Sequence, residues 1–396
     1  MTPAARPSAN ASLIVLSAAN FCSAAVMRAA DPMIPLLAAE FHVTVARSAV
    51  VATAFALAYG LFQFAIGPFS DRVGKVRLIT GATLLVGLST LAGVFAGSLE
   101  SLAALRFVAG AAAGAIIPLG LAYVGDIVPP EQRQEVLSRY IGGQILGLTL
   151  GPAIAGILSE YFSWRFVFAF FGTLLIAVSA LLLKEILVRG VSEPRAPVPR
   201  RLGQNYLALL SSARARLVLV SVLIEGFLIF GGITFVGAFV VHRYGMGYDT
   251  AGLIGAGFGA GGLIYVLSAR WLLARLHPRR MVLAGGLLLL VCFTALSLQP
   301  PLAMVTLIVA LMGLGFYLMH NILQNRATQM LPGATGLAMS VFAASLFVGQ
   351  SLGISAFGAL IAVFGYEPAF LTIGVCFGIG ATLLSMLIGR QDIRSI

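Results

Sequence analysis

Apolar and polar positions along the chain do not alternate from one residue to the next. They form twelve long apolar runs separated by shorter polar stretches. The runs lie near 12–38, 46–67, 78–97, 102–124, 138–159 and 164–187, then near 215–241, 249–271, 281–299, 302–326, 335–364 and 369–389. A helix that crosses a hydrocarbon core needs about 20 apolar residues, so each run predicts one membrane span. The uncharged stretch from Met281 to Met319 is too long for a single span. Pro300-Pro301 divides it, because proline supplies no amide hydrogen and disfavours helix in the residue before it. An outer-membrane barrel would need short alternating segments, which these continuous runs exclude. The expected fold is an all-α polytopic membrane protein with twelve transmembrane helices.

Composition agrees. Of the 396 residues, 59% are hydrophobic and only 10% are charged, whereas a soluble domain carries about a quarter charged residues. Residues 1–11 are short and polar, and the first apolar run is too long for a signal-peptide core, so no cleavable leader is expected. A net charge of +11 would suit nucleic acid, but its distribution argues otherwise. Twelve spans bring both termini to one side. All but five of the 25 Lys and Arg residues collect on that side or at its interface, the exceptions being Arg28, Arg47, Arg106, Arg165 and Arg243. The positive-inside rule makes the crowded side cytoplasmic. The basicity is therefore topological: the expected partner is the lipid bilayer, no nucleic acid is implied, and the expected location is a bacterial cytoplasmic (inner) membrane. Residues 188–214, rich in Pro and Arg, read as a cytoplasmic linker between one six-helix bundle over 1–187 and another over 215–396. Cys22, Cys292 and Cys376 lie inside apolar runs without metal-ligand spacing, so neither a metal nor a cofactor is expected. Trp164 and Trp271 fall near run ends and read as interface anchors.

The two halves repeat. Arg72 and Arg77 match Arg275 and Arg280 at an offset of 203, as do Gly110 with Gly313 and Pro129 with Pro332. In the fifth and eleventh runs, GQILG (Gly143 to Gly147) matches GQSLG (Gly349 to Gly353) at an offset of 206. An even number of helices per half makes this a parallel repeat, as in transporters built from two six-helix halves.

Three motifs carry a family likeness. After the second run the chain reads GPFSDRVGKVR, containing Gly67, Asp71, Arg72, Gly74, Lys75 and Arg77. The fourth run contains LAALRFVAG, with Arg106 and Gly110, and the fifth contains GLTLGPAIAG, with Gly147, Gly151, Pro152 and Gly156. In these motifs the sequence resembles the major facilitator superfamily, over essentially its whole length, and within it the twelve-helix drug:proton antiporters. It departs from the family pattern at Val76, Ala109 and Ala155. The resemblance implies a cytoplasmic latch formed by the first motif and joined by Asp126, and an exporter's antiporter motif in the fifth helix. It also implies that helices 1, 4, 7 and 10 line a central cavity, and that the protein works as a monomer. Independently, glycine patches let membrane helices approach closely, and Asp71 can pair with nearby arginines or with a helix N-terminus.

Five ionisable residues lie deep in apolar runs: Arg28 and Asp31 in the first, Arg106 in the fourth, Glu225 in the seventh and His320 in the tenth. A charge at the bilayer centre costs about 2.5–3.5 kcal/mol on insertion scales, so such groups usually face an internal cavity. Those four runs are the ones that the resemblance places around the cavity. Arg28 stands three residues before Asp31, within pairing distance on a helix. Glu225 has no basic neighbour in its own run, which makes it a proton-coupling candidate, with Asp31 either its partner or a fixed charge held by Arg28. The resemblance instead favours a carboxylate in the first helix. Arg106 either assists proton transfer or reaches the outer interface by snorkelling. Asn20, Met27, Phe227, Phe230, Tyr317, His320, Asn321 and Gln324 are the substrate-cavity candidates. The expected activity is secondary transport by alternating access, with protons moving inward and a small amphiphilic molecule moving outward. Sugar or metabolite efflux is the alternative, as is import of a siderophore, metabolite or lipid-like molecule. A membrane sensor would need a larger soluble domain. An intramembrane enzyme would need a nucleophile with its base or a metal cluster, and the sequence offers neither.

Overall fold

The computed structural model of the chain describes residues 7–189, 202–331 and 334–393, apart from the side chains of residues 7–12, Gly67, Pro68, Asp71, Pro130, Gln134, Arg189, 202–204 and 389–393. Among the described residues all regular secondary structure is helical, and twelve helices are long and apolar enough to cross a membrane. They are α1 (Leu13–Glu40), α2 (Val45–Ile66), α3 (Lys75–Phe95), α4 (Leu99–Ile127), α5 (Glu131–Tyr161), α6 (Trp164–Val188), α7 (Ala213–Tyr244), α8 (Tyr248–Arg275), α9 (Pro278–Ser297), α10 (Leu302–Thr328), α11 (Thr335–Phe364) and α12 (Tyr366–Ile388). Each coincides with an expected run. The largest difference is α5, which begins in the polar turn EQRQEVLSR. Proline in the first helical turn is compatible with helix, and the polar turn escapes a hydropathy pattern because it lies outside the apolar run. The expected linker is not wholly irregular, since Leu202–Ser211 forms a helix whose Tyr206 ring meets Phe64 at 6.0 Å.

Glycines set how the helices meet. A Cβ on Gly143 would lie 2.8 Å from the Ser17 carbonyl oxygen, and one on Gly147 would lie 2.3 Å from that of Phe21. In the second half, Cβ atoms on Gly349 and Gly353 would lie 2.1 Å and 2.0 Å from the carbonyl oxygens of Leu223 and Phe227. Ser17 and Leu223, like Phe21 and Phe227, are separated by the same 206 positions as the glycines they receive. The joint of α5 on α1 is thus rebuilt as α11 on α7. The contact of Gly110 with Phe55 likewise recurs as Gly313 with Phe258, both at an offset of 203. The parallel repeat is therefore present in the packing as well as in the letters.

Three spans are interrupted near their middles. In α1 the α-helix stops at Ala29, a 3₁₀ turn covers Asp31–Met33, and α-helix resumes at Ile34. Pro32 has no amide hydrogen to continue the ladder, which accounts for the break. In α4 the break falls between Ala113 and Ile116, and in α7 between Ile233 and Val236. α10 is continuous, as is α5, in which Pro152 is accommodated inside the helix.

The first and last six spans meet through α2 with α11, α5 with α8, and α1 with α7. On the face opposite the linker, the distal face, the Glu160 carboxylate at the end of α5 accepts the Tyr248 N–H at the start of α8, at 2.7 Å. Nearby, Gly156 and Gly252 cross so closely that a Cβ on Gly156 would lie 2.3 Å from the Tyr248 carbonyl oxygen. The Tyr59 and Phe347 rings meet at 4.0 Å between α2 and α11. Three of the arginines that stand apart from the basic crowd have polar partners on the distal face. Arg47 pairs with Glu100 and Arg165 with Glu40, both at 2.8 Å, and Arg243 bonds Gln299 at 2.6 Å. Trp164, expected at the membrane interface, is instead buried, because Phe41 and Phe168 pack around it at 5.8 Å. Trp271 is exposed, with Arg275 over its ring.

Candidate functional site

The break in α1 frees backbone carbonyls inside an apolar setting, where each unmet polar group is expensive. Arg106 of α4 meets them. Its guanidinium donates to the carbonyl oxygens of Val26 (3.1 Å), Val51 (3.4 Å) and Met27 (3.5 Å), and lies 4.3 Å from the Phe55 ring centroid. Only 2% of Arg106 is exposed. The snorkelling expectation is therefore corrected: the side chain turns inward and ties α4 to the interrupted turn of α1.

Arg28 and Asp31 form an ion pair, Nη2 to Oδ2 at 2.6 Å, with both residues buried. The pair stands where α1 meets the last six spans. A Cβ on Gly237 of α7 would touch Pro32 and the Asp31 carbonyl oxygen at 3.4 and 3.5 Å. A cavity of about 20 Å³ adjoins Arg28, Asp31, Pro152, Gly237 and Gly255, which is room for about one water. The Arg28 guanidinium also lies 5.3 Å from the Phe230 ring, a cation–π contact between α1 and α7.

The second polar centre joins α7 to α10. His320 Nδ1 lies 2.8 Å from Glu225 Oε2, with the Glu225 side chain wholly buried and that of His320 12% exposed. Glu225 Oε1 has no hydrogen-bond partner among the described residues. Phe316 stacks on the imidazole at 4.8 Å and 22°, and Phe342 lies on it at 5.4 Å. Phe316 in turn meets Phe230 at 5.6 Å, so rings connect this centre to Arg28. In the duplicated frame Glu225 corresponds to Ala19, twelve positions before Asp31. At 1.5 Å per residue the two carboxylates differ in depth by about 18 Å. Direct partnership of Asp31 with Glu225 is thus corrected: each has its own partner, Arg28 for one and His320 for the other.

The remaining expected residues divide. Phe227, Phe230, Tyr317, His320 and Asn321 are half-buried, and Gln324 is exposed. Phe227 meets Phe357, and Tyr317 stacks on Tyr265. Asn20 was expected on the cavity wall but is fully buried, its amide donating to the Tyr140 carbonyl of α5 at 2.8 Å. Met27 is also buried. In the first motif, Lys75 pairs with Asp126, joining the start of α3 to the end of α4, while Arg72 and Arg77 are exposed. Gly74 sits at φ 100°, a conformation that favours glycine. The side chains of Gly67 and Asp71 lie outside the described set. In the antiporter motif, Gly147 and Gly151 receive α1, whereas the Pro152 carbonyl and Gly156 receive α8. Among the described residues no group of three or more His, Cys, Asp or Glu converges to hold a metal. Sequence reasoning missed the Glu225–His320 pairing, the flanking Phe316 and Phe342, and Glu160. The pairing depends on how α7 and α10 are rotated toward each other, which no local pattern records.

This architecture matches known proteins along most of its length. The chain is 28% identical over 336 residues to an uncharacterized MFS-type transporter, YceJ of Bacillus subtilis, covering 83% of this chain and 84% of that one. It is 24% identical over 351 residues to the 4-hydroxybenzoate transporter PcaK of Pseudomonas aeruginosa, covering 81% and 74%. The match to the inner membrane transport protein YnfM of Escherichia coli, 29% identical, spans 44% of this chain and 42% of that protein. Among solved structures, a bacterial homologue of the human lysosomal transporter Spinster, in an inward-facing and unoccupied conformation, superposes with a TM-score of 0.81 at 16% identity, covering 99% of both chains. The Major Facilitator Superfamily profile matches residues 16–337. With twelve helices in two parallel repeats and that match over most of its length, the chain belongs to the Major Facilitator Superfamily, a family of membrane transporters.

Proposed function

We propose that the chain is a proton-coupled antiporter that exports a small amphiphilic molecule by alternating access. Bundles over 1–187 and 215–396 rock about the central contacts, the linker face is cytoplasmic, and the monomer is the working unit. The observation that carries this reading is Glu225. Its carboxyl is wholly buried, with one oxygen on an imidazole and the other without a partner among the described residues. A carboxyl in that setting changes charge only if its surroundings change with it, which is what coupling a proton to a conformational change requires. Asp31, held by Arg28, serves as a fixed charge near the inter-half contact. Half-buried Phe227, Phe230 and Tyr317 supply the apolar surface, and Asn321 and Gln324 a few polar anchors, as small-molecule sites require.

A second reading, transport of a small aromatic acid, is favoured by the likeness to the 4-hydroxybenzoate transporter and by Arg28 standing over the Phe230 ring. Inverted membrane vesicles with an imposed proton gradient separate the two, with ethidium and 4-hydroxybenzoate as probes. Ethidium accumulation driven by the gradient, lost in Glu225→Gln and retained in Asp31→Asn, is the expected result. Gradient-driven movement of 4-hydroxybenzoate alone supports the second reading. Movement of both probes without regard to the gradient removes proton coupling and leaves the fold untouched.

A further inference from the structure

Among the described residues, the side chain that bonds Glu225 and keeps some exposure is His320. The Glu225 side chain has no exposed surface, and among the described residues His320 is the one ionisable group acting on it electrostatically. His320 retains 12% side-chain exposure. Its Nδ1 is engaged by Glu225, while Nε2 makes no hydrogen bond to any described residue and is not among the fully buried orphan atoms. Phe316 and Phe342 hold the ring from its sides, so the imidazole stands as a fixed plate between the buried carboxyl and the partly accessible space. Among the titratable groups on the adjoining helices, Tyr317 of α10 stacks on Tyr265 of α8, and the Arg28–Asp31 pair of α1 lies beyond Phe230. None of these bonds either member of the pair.

We infer that His320 is the entry by which a proton reaches Glu225, the two side chains forming a two-step relay. In the starting state Nδ1–H donates to the ionised carboxylate and Nε2 carries a lone pair. A hydronium ion gives its proton to Nε2 and leaves as water, while the Nδ1 proton transfers to Oε2. One N–H bond forms and one breaks, and the O–H bond lost by hydronium is matched by the one formed on the carboxyl. The ring ends neutral in its other tautomer, and the new carboxylic O–H donates back to Nδ1. The hydrogen bond therefore survives with its direction reversed, and the step neutralises the buried carboxylate without placing a positive charge on the ring. Release runs the same steps backwards.

This inference rests on the proton-coupled reading, and its test is independent of transport. In purified full-length protein, an infrared pH-jump experiment follows the carbonyl stretch of a protonated carboxyl, assigned to Glu225 by its loss in Glu225→Gln. After a downward jump the band is expected to rise at least tenfold more slowly in His320→Asn, which keeps a donor to the carboxylate but cannot relay. An equal rate overturns the relay. A second measurement uses the wild-type protein, labelled with ¹⁵N-histidine. Across the same pH step one of the four histidines should move its proton from Nδ1 to Nε2 while remaining neutral. A ring that gains a second proton, or that keeps one tautomer throughout, overturns it. If the relay is seen but vesicles ignore the proton gradient, the transport reading fails and the relay stands. If vesicles obey the gradient and the band rises at the wild-type rate in His320→Asn, the relay fails alone.

Discussion

Replacing Gly147 by alanine tests whether the antiporter motif in α5 is a packing device. The added Cβ would lie 2.3 Å from the Phe21 carbonyl oxygen and 2.9 Å from the Ala24 Cβ. Ordinary contact begins at 3.4 Å, so α5 and α1 would have to part by about 1 Å locally. Overpacking of that kind costs about 1–3 kcal/mol. The backbone atom at Phe21 cannot move aside without disturbing its own helix. Alanine also favours a helix over glycine by about 1 kcal/mol, so a control must carry that gain without the clash. Gly142 supplies it: it lies in the same helix, and nothing stands within 4 Å of its added Cβ. Gly142→Ala should unfold at or slightly above the wild-type temperature in detergent, and Gly147→Ala several degrees below it. Gly353→Ala, whose Cβ would lie 2.0 Å from the Phe227 carbonyl oxygen, should lose at least as much in the other half. If Gly147→Ala and Gly142→Ala melt together, the α5–α1 approach described above is wrong.

Arg106→Ala should lower the melting temperature by several degrees, because the one well-formed bond to Val26 is charge-assisted and worth about 1.5–3 kcal/mol; a variant as stable as wild type would deny its role at the α1 break. Glu160→Gln should loosen the α5–α8 contact on the distal face, since the charged acceptor of the Tyr248 N–H is lost; maleimide labelling of a cysteine introduced at Ala251, in a background lacking the native thiols, should speed up severalfold, and an unchanged rate would show that Glu160 does not hold that contact. Arg47→Ala should leave the melting temperature close to that of the wild type, because its pair with Glu100 is about two-thirds exposed on both sides; a clear fall would contradict that exposure.

All twelve spans were legible because hydrocarbon imposes a length and composition that no other constraint imitates. The start of α5 was not, since its first turns are polar and helical outside the apolar run. The α1 break has a cause in Pro32 and the α4 break in Pro118, which supplies no amide hydrogen for the Gly114 carbonyl four residues earlier, whereas the α7 break contains no proline and passes unnoticed in a hydropathy pattern. Deep charges were equally legible, but their partners were not. Arg28 and Asp31 are three residues apart and share a helix face, so their pairing could be read directly. Glu225 and His320 are 95 residues apart and meet only through tertiary packing. Trp164 failed for the same reason: an aromatic at the end of a run can face lipid or interior, and Phe41 decides which.

The glycines that rest on carbonyl oxygens also bear on the history of the chain. At Gly110, Gly143 and Gly147, and at their counterparts Gly313, Gly349 and Gly353, any side chain collides with a backbone that cannot withdraw, so drift after a duplication is blocked there in both copies. Elsewhere the copies were free to diverge, and they did: where one carries Glu225 the other carries Ala19, and where one carries Asp31 the other carries Gly237. The ancestry of the molecule is preserved in the joints that both halves share, and its individuality in the residues those joints leave unconstrained.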